Sequence, residues 1–411
     1  MPTFYLNPRA SHAPYPPELQ HILNIGAAAE SRAWLKHWDR INMQGTPLRE
    51  LPGLAARLGM KNIVIKDESL RSQVGSFKAL GAPIALVRLL LRLMPEKRLN
   101  IDALFMGSYR ELLQDITVIS ATDGNHGRAL AAAAQSVGCP CVIVLHGGVS
   151  SERENAIADY GAKIIRIGGN YDESVEEAAR LASENRWYVV SDTSYEGYED
   201  IPRDVMQGYA IIGAEVIEQC LCRQETPAFS HVILQGGVGG FAAGVASFLW
   251  QYHGKHRPQL IVVEPREADC LYQSGIAGQP AKATGAVDSL MAGLACGECS
   301  PLAWKILQPC IDAFLVIEDE AAVRAMQVLA AGRDQDIPII AGESGAAGLA
   351  GLQTLLADEQ LKKKARLDHN AHVLLINTEG ATSPSIYHQL VGENALSVKV
   401  RQDCWQNRRV K

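Results

Sequence analysis

The chain has 411 residues, of which 47% are hydrophobic and 20% charged, so it can form a sizeable core and two globular domains. The formal net charge of −6 shows no basic surplus, which excludes nucleic acid and anionic membranes as expected partners. No basic N-terminal stretch precedes an apolar one, and no run of about 18 apolar residues occurs. We therefore expect a cytoplasmic protein without a signal peptide or a membrane span.

The nine cysteines include one C-x-x-C pair, Cys296 and Cys299. No second pair and no nearby histidine completes a zinc site, so no metal is predicted. Thiols in a reducing compartment are the favoured interpretation.

Residues 1–40 are rich in proline and predict a peripheral arm, and residues 401–411 are polar and also expected at the periphery. A short helix is predicted at 51–58 and a strand at 62–66, followed by a helix from residue 79 to about residue 93. The mixed basic and apolar stretch 89–114 is expected to be helical.

From residue 116 onward, predicted strands alternate with predicted helices. The strands are 116–120, 141–145, 163–167, 187–190, 231–234, 260–263 and 372–376. The helices are 125–137, 151–160, 174–184, 204–219, 241–252, 320–330 and 345–356. Ser151, three residues before Glu154, resembles the capping start of its helix. The alternation predicts an α/β fold with mostly parallel sheets covered by helices on both faces.

The motif Gly75-Ser76-Phe77-Lys78 lies between the first predicted strand and its helix. Lys78 would therefore face the unpaired N–H groups and the positive end of a helix, which favours a neutral amine. A neutral amine is the form that a Schiff-base lysine needs. Taken alone, the motif fits a surface lysine in a first helical turn better.

The segment from Ala121 to Arg128 lies at another strand-to-helix junction and contains Asp123, Asn125 and His126. N–H groups at a helix start bind anions, so a substrate carboxylate fits there, and Asn125 could hydrogen-bond a phenolic oxygen. A plain turn with Asp123 as the helix cap explains the same residues equally well.

A third junction carries the glycine-rich run Gln235-Gly236-Gly237-Val238-Gly239-Gly240. Glycines let the backbone close around a phosphate at a helix start. The run also fits a loose dinucleotide fingerprint, with Glu264 at the end of the next strand. That alternative leaves Lys78 and the Asp123 segment unexplained.

Two further strand ends carry Asp192 and Thr378. Either could be an ordinary turn residue, but the hydroxyl of Thr378 could also face a ring nitrogen. All five junctions lie where open α/β sheets place their ligands. A lysine, a carboxylate cradle, a phosphate cradle and a hydroxyl for a ring nitrogen together describe a site for pyridoxal phosphate.

The order of these motifs resembles the fold-type II family of pyridoxal-phosphate enzymes, over residues from about 46 to 383. Longer segments are most similar to the diaminopropionate ammonia-lyase family within it. These segments are 122–128, 192–193 with 196–198, 206–209, 264–265 with 268–270, 291–298 and 342–346. One departure is Gly75-Ser76, where that family often has Asn-Ala.

The resemblance implies a role for each candidate residue. Lys78 would hold the cofactor as a Schiff base, Asn125 would contact its phenolic oxygen, and Thr378 would face its pyridine nitrogen. Asp123 and Asp192 would be active-site carboxylates. The phosphate would be cradled by Gly236, Gly237, Val238, Gly239 and Gly240. Cys270 and Cys296, in two of the shared segments, are suggested to approach each other near the site mouth.

The resemblance also implies two α/β domains, one of residues 1–80 with 200–411 and a smaller inserted one of residues 81–199, in a homodimer. The implied reaction is α,β-elimination of 2,3-diaminopropionate, a small amino acid, to pyruvate and two ammonia molecules. Asp123, where relatives carry a hydroxyl, would attract a substrate's extra ammonium group and should have a raised pKa beside the substrate carboxylate. The alternatives are a serine or threonine dehydratase, a non-catalytic cofactor-binding protein and, remotely, an NAD-dependent dehydrogenase.

Overall fold

The computed structural model describes residues 3–409, apart from residues 43, 123, 170, 222 and 224. Within that part of the chain, the strands are β1 (Thr3–Leu6), β2 (Leu48–Glu50), β3 (Asn62–Asp67), β4 (Val118–Ala121), β5 (Cys141–Leu145), β6 (Lys163–Arg166), β7 (Tyr188–Val189), β8 (His231–Gln235), β9 (Gln259–Pro265), β10 (Ala313–Ile317) and β11 (His372–Asn377). The α-helices are α1 (Ile25–Leu35), α2 (Pro52–Leu58), α3 (Lys78–Leu93), α4 (Ile101–Phe105), α5 (Arg110–Leu113), α6 (Asn125–Val137), α7 (Ser151–Ala158), α8 (Tyr171–Asn185), α9 (Asp200–Tyr209), α10 (Ile211–Gln219), α11 (Gly240–His253), α12 (Cys270–Ala277), α13 (Pro301–Cys310), α14 (Asp319–Ala331), α15 (Ala347–Leu356), α16 (Glu359–Lys364), α17 (Pro384–Val391) and α18 (Ala395–Arg409). None of these helices is both long and apolar enough to cross a bilayer.

The strands form two separate sheets. The larger has seven strands in the order β1-β10-β9-β8-β11-β3-β2, and the smaller has four in the order β6-β5-β4-β7. All pairings are parallel except those of the two edge strands β1 and β2 of the larger sheet. The predicted α/β fold with parallel sheets flanked by helices is therefore confirmed.

Strand β8 shows why the central strands have apolar residues in succession rather than in alternation with polar ones. All five of its residues are buried. Val232 and Leu234 pack into one hydrophobic core, whereas Ile233 between them packs into another. Successive side chains of a strand point to opposite faces, so each face of the larger sheet is covered by its own layer of helices.

Several local predictions differ from the structure. The edge strands β1 and β2 and the internal strand β10 were not predicted, and the helix predicted at 204–219 is two helices that meet at Ala210. The helix cap at Ser151 was placed one residue too late, because the hydroxyl of Ser150 accepts the N–H of Arg153 at 3.3 Å. Residues 401–408 are mostly exposed or half-buried, but Gln402 among them is buried and donates to the Pro338 carbonyl at 2.9 Å.

A network of buried ion pairs holds the chain segment that precedes Lys78. Lys66, on β3, donates to Glu215 of α10 at 2.6 Å. Arg71, in the following turn, donates to Glu215 at 2.7 Å and to Glu68 at 2.8 Å. These four side chains are nearly inaccessible to water. The network therefore ties the end of β3, and the turn that leads to Lys78, to α10.

Candidate active site

Three neighbouring strands of the larger sheet bring separate loops to one edge. Strands β8, β11 and β3 are parallel neighbours, so their carboxyl ends meet. The loop after β11 also pairs with the turn that precedes Lys78. The N–H of Phe77 donates to the Thr378 carbonyl, and the N–H of Gly380 donates to the Gly75 carbonyl, both at 3.0 Å. Lys78 and Thr378, some 300 residues apart, are thereby held side by side.

The smaller sheet supplies the opposite wall of a cavity. Strands β4 and β7 are neighbours, so Asn125, which follows β4, and Asp192, which follows β7, face the same space. The predicted residues that line this cavity are Lys78, Asn125, Asp192, Gly236, Val238, Gly240 and Thr378. Gly237 and Gly239 belong to the same loop. Asp123 lies outside the described residues, but its neighbours Thr122 and Gly124 line the cavity.

Lys78 and Asp192 form an ion pair at the centre of the cavity, where Lys78 Nζ donates to Asp192 Oδ2. Their side chains are only 15% and 12% exposed. Burial alone would lower the pKa of Lys78, but the Asp192 carboxylate outweighs it and raises that pKa above its usual value. Burial alone would raise the pKa of Asp192, but Lys78 holds it well below its usual range.

The expectation of a neutral Lys78 is therefore wrong for the chain by itself. Lys78 is the first residue of α3 and so lies at the positive end of the helix, as the local sequence predicts. A helix terminus carries only about half an elementary charge, however, whereas Asp192 is a full charge in direct contact. The contact reverses the sign of the effect and makes Lys78 an ammonium group in the unmodified chain.

Two residues that the sequence reasoning did not select also lie at this pair. The His126 ring donates from Nε2 to the Val190 carbonyl at 2.8 Å, and its Nδ1 lies 3.9 Å from Asp192 Oδ2. The Tyr209 hydroxyl is buried, lines the cavity and has no hydrogen-bond partner among the described residues. Both belong to segments shared with the ammonia-lyases, which was the only signal available for them.

The glycine-rich loop has the shape of a phosphate cradle. Gly237 and Gly239 have φ angles of +71° and +97°, which other residues adopt only with strain. A Cβ atom at Gly236 would lie 2.4 Å from Glu264 Cγ. Among the described residues, the N–H groups from Gly237 to Gly240 find no acceptor, and α11 begins at Gly240. Unpaired N–H groups at a helix start are what a phosphate requires.

The arrangement of Glu264 argues against the dinucleotide alternative. Its carboxylate is 1% exposed and accepts the N–H groups of Leu271 at 3.1 Å and Tyr272 at 2.7 Å. Burial raises the pKa of Glu264 to about 8 in spite of these hydrogen bonds. The side chain is thus occupied at the start of α12 and is not available to a ribose.

Asn125 lines the cavity from the start of α6. Its amide Nδ2 donates to Glu379, a cavity residue next to Thr378 that was not among the predicted site residues. One amide hydrogen and the amide oxygen remain for a ligand. Glu379 and the neighbouring Glu343 are close, and burial followed by repulsion from Glu379 raises the pKa of Glu343 to about 7.

The cavity fits pyridoxal phosphate on these observations. It combines a reactive amine at Lys78, unpaired N–H groups for a phosphate, and polar side chains at Asn125 and Thr378 for the ring. The aromatic ring of Phe241 adds an apolar surface.

Cys270 and Cys296 are both thiols rather than a disulfide, and Cys270 Sγ lies 3.4 Å from the Gly237 carbonyl.

Comparison with known proteins agrees with this geometry. Residues 41–379 match the family described as pyridoxal-phosphate dependent enzyme. The chain is 40% identical to the diaminopropionate ammonia-lyase of Salmonella typhimurium over 90% of its own length and 93% of that protein. The holo diaminopropionate ammonia lyase structure from Escherichia coli superposes with a TM-score of 0.86 at 36% identity, covering 95% of this chain and 96% of that one.

A threonine dehydratase is a more distant relative. The biosynthetic enzyme of Haemophilus influenzae is 26% identical over 89% of this chain but only 60% of its own length. The chain therefore belongs to the pyridoxal-phosphate dependent enzyme family and, within it, to the family of the diaminopropionate ammonia-lyases.

Proposed function

We propose that this protein catalyses the pyridoxal-phosphate dependent α,β-elimination of 2,3-diaminopropionate to pyruvate and two ammonia molecules. The observation that carries the proposal is the Lys78–Asp192 ion pair, which lies between a glycine-rich anion cradle and a polar wall in one cavity. An amine that can both bond to the cofactor and exchange protons is the central requirement of such a reaction.

The proposed roles follow from position. Lys78 would hold the cofactor through its Nζ, which must become free when the substrate amine binds. The loop from Gly236 to Gly240 would bind the phosphate through its N–H groups, Asn125 would hydrogen-bond the phenolic oxygen, and the Thr378 hydroxyl would serve the ring nitrogen. Because Thr378 carries no negative charge, it would not stabilise a proton on that nitrogen.

When bound, the cofactor supplies a sink for the electron pair of the substrate Cα–H bond. Lys78, once released, takes the Cα proton at Nζ and becomes an ammonium group. Asp192 stabilises that ammonium by direct contact, as it does in the unmodified chain. Asp123 provides a second carboxylate that accepts a proton or holds the substrate's β-ammonium group, and the β-amine then leaves as ammonia.

The test is a substrate comparison with the cofactor-loaded enzyme. We expect kcat/KM for diaminopropionate to exceed that for L-serine and L-threonine by at least about 10²-fold, with 2-oxo acid formation as the readout. Equal or better turnover of serine would assign the protein to the dehydratases instead. Reduction with borohydride should fix the cofactor to the peptide that contains Lys78, and labelling of another lysine would refute that assignment.

We also propose two domains, residues 1–80 with 200–411 and residues 81–199. The proposal is supported by the strands of the smaller sheet, which all lie between residues 118 and 189. Limited proteolysis near residue 199 tests the division. A homodimer and a cytoplasmic location also stay predictions, which light scattering and cell fractionation can test.

A further inference from the structure

Asp192 lies on a segment that runs directly against the glycine-rich loop. The Asp192 backbone carbonyl is 3.5 Å from the position that a Cβ atom on Gly240 would take. Two buried serines lie beside this contact, Ser194 on the Asp192 segment and Ser300 just before α13. They are 5% and 1% exposed, and we call them the serine bridge.

The serine bridge completes a chain of hydrogen bonds between the two regions. The N–H of Ser300 donates to the carbonyl of Val238, in the glycine-rich loop, at 3.0 Å. The Ser300 hydroxyl accepts the N–H of Ser194 at 3.2 Å and lies 2.7 Å from the Ser194 hydroxyl. Two residues before Ser194 is Asp192, whose carboxylate contacts Lys78. The phosphate cradle is thus connected to the Asp192 segment through Ser300, whose main-chain N–H binds the loop and whose hydroxyl binds both the N–H and the hydroxyl of Ser194.

The geometry of Ser300 distinguishes this connection from an ordinary helix cap. Ser300 occupies the N-cap position of α13, where a serine hydroxyl usually accepts an N–H from its own helix. Its hydroxyl makes no such bond. Instead, the Ser194 hydroxyl accepts the N–H of Leu302 at 2.9 Å, so a distant segment caps α13. The hydroxyl of Ser300 therefore bonds to the Asp192 segment instead of capping its own helix.

The other side of the Asp192 segment is held as well. The Tyr198 hydroxyl accepts the N–H of Ser191 at 2.9 Å and donates to the Val189 carbonyl at 3.0 Å. Asp192 therefore lies between two anchor points, Ser191 and Ser194. Loss of either anchor leaves its backbone held at one end only.

We propose that Ser194 and Ser300 are positioning residues that couple phosphate binding at the glycine-rich loop to the placement of Asp192 against Lys78. The proposal rests on the proposed function, because it takes the loop to be the cofactor's phosphate site. Coupling of this kind is reciprocal, so breaking the bridge must affect both ends. The glycine-rich loop should then bind the cofactor phosphate more weakly, and Asp192 should lose its contact with Lys78.

The test uses Ser194→Ala and Ser300→Ala in the full-length holoenzyme. Ser247→Ala is the matched control, because Ser247 is also buried and its hydroxyl donates to the Gly244 carbonyl within its own helix, α11. Ser300→Thr keeps a hydroxyl and should behave as the wild type. The two measurements are the dissociation constant of pyridoxal phosphate and the pH midpoint of the bound cofactor's visible absorption band.

We expect Ser300→Ala, which removes both contacts between the two serines, to bind the cofactor about 10-fold more weakly, and Ser194→Ala, which keeps the contact of its main-chain N–H with the Ser300 hydroxyl, to be weakened less. The pH midpoint should fall, because a displaced Asp192 no longer stabilises a protonated nitrogen at Lys78. The other groups that face Lys78 are Tyr209, His126 and Cys296, and all three are unchanged in these variants.

Each outcome decides the question. A lower melting temperature with an unchanged midpoint and an unchanged dissociation constant would overturn the coupling and leave the serines with a structural role. The same changes in Ser247→Ala would overturn it too. If Ser300→Ala does not fold, Ser194→Ala alone decides. A wild-type protein that turns over diaminopropionate keeps the proposed function even when the coupling fails, whereas a wild type with no cofactor band refutes both.

Discussion

Replacement of Asp192 by asparagine is the sharpest test of the ion pair. In the proposed reaction Lys78 becomes an ammonium group as it takes the Cα proton, and Asp192 is the carboxylate in contact with it. Asparagine keeps the shape of the side chain and removes the charge. The substitution should therefore act on the transition state, in which the positive charge develops, more than on substrate binding.

The magnitude follows from the environment of the pair. Two unit charges about 4 Å apart interact by about 4 kcal/mol at an effective dielectric constant of about 20. Their side chains are 15% and 12% exposed, so some water reaches the pair. The amide dipole of asparagine also replaces part of the lost interaction. A net loss of about 3 kcal/mol corresponds to a decrease in kcat of about 10²-fold.

The assay measures kcat and KM for diaminopropionate with saturating cofactor. Asp204→Asn is the matched control, because Asp204 is a buried aspartate that pairs with Arg92 at 2.6 Å outside the cavity. The control should lose stability and keep kcat. In the unloaded protein, Asp192→Asn should also lower the pKa of Lys78, since burial then acts without its opposing charge. A kcat within about threefold of wild type, with cofactor bound, would refute this account of Asp192.

Four further predictions concern other parts of the molecule. Lys78→Ala should abolish steady turnover by at least about 10³-fold, and measurable multiple turnovers would contradict its role. Gly239→Ala should weaken cofactor binding in a fluorescence titration, because φ is +97° and a Cβ atom would meet Leu307 at 2.8 Å; Gly161→Ala, at φ +78° in open space, should bind normally. If Asp123 takes the Cα proton on the face opposite Lys78, Asp123→Asn should lower elimination from the D isomer of diaminopropionate by at least about 10²-fold and affect the L isomer less; equal losses for both isomers would refute that role. Glu215→Gln should destabilise the fold by about 3–5 kcal/mol in urea unfolding. Burial alone would raise the pKa of Glu215, but its cationic partners hold it at about 2, so its stabilising contribution is present above pH 4–5 and lost as the pH falls toward 2.

Local patterns predicted most of the central architecture. Helix α6 and strand β5 lie where the sequence placed them, because an alanine-rich amphipathic stretch and a short apolar run are both set by their own residues. The missed strands β1 and β2 lie at sheet edges. They form by pairing with β10 and β3, and that pairing is not encoded in three or four residues.

The residues of the candidate site also fall into two groups, those that local motifs predict and those that only the tertiary structure identifies. The lysine, the glycine-rich loop and the strand ends were recognisable because each is a short motif at a junction of known geometry. Glu379 and Tyr209 were not selected, although Glu379 follows Thr378 and Tyr209 ends a segment shared with the ammonia-lyases, because neither residue type by itself marks a cavity residue. Their importance comes from side chains that converge from different strands and helices.

The charge state of Lys78 shows most clearly what the sequence determined and what only the tertiary structure decided. From the sequence alone, Lys78 begins a helix and lies at the carboxyl end of a sheet, because these features depend on neighbouring residues. Its partner Asp192 is 114 residues away, and it reaches Lys78 only because the two sheets face each other. A contact of full charges in a buried space outweighs a local helix dipole. The sequence therefore determined where the amine lies, and the tertiary structure decided its charge.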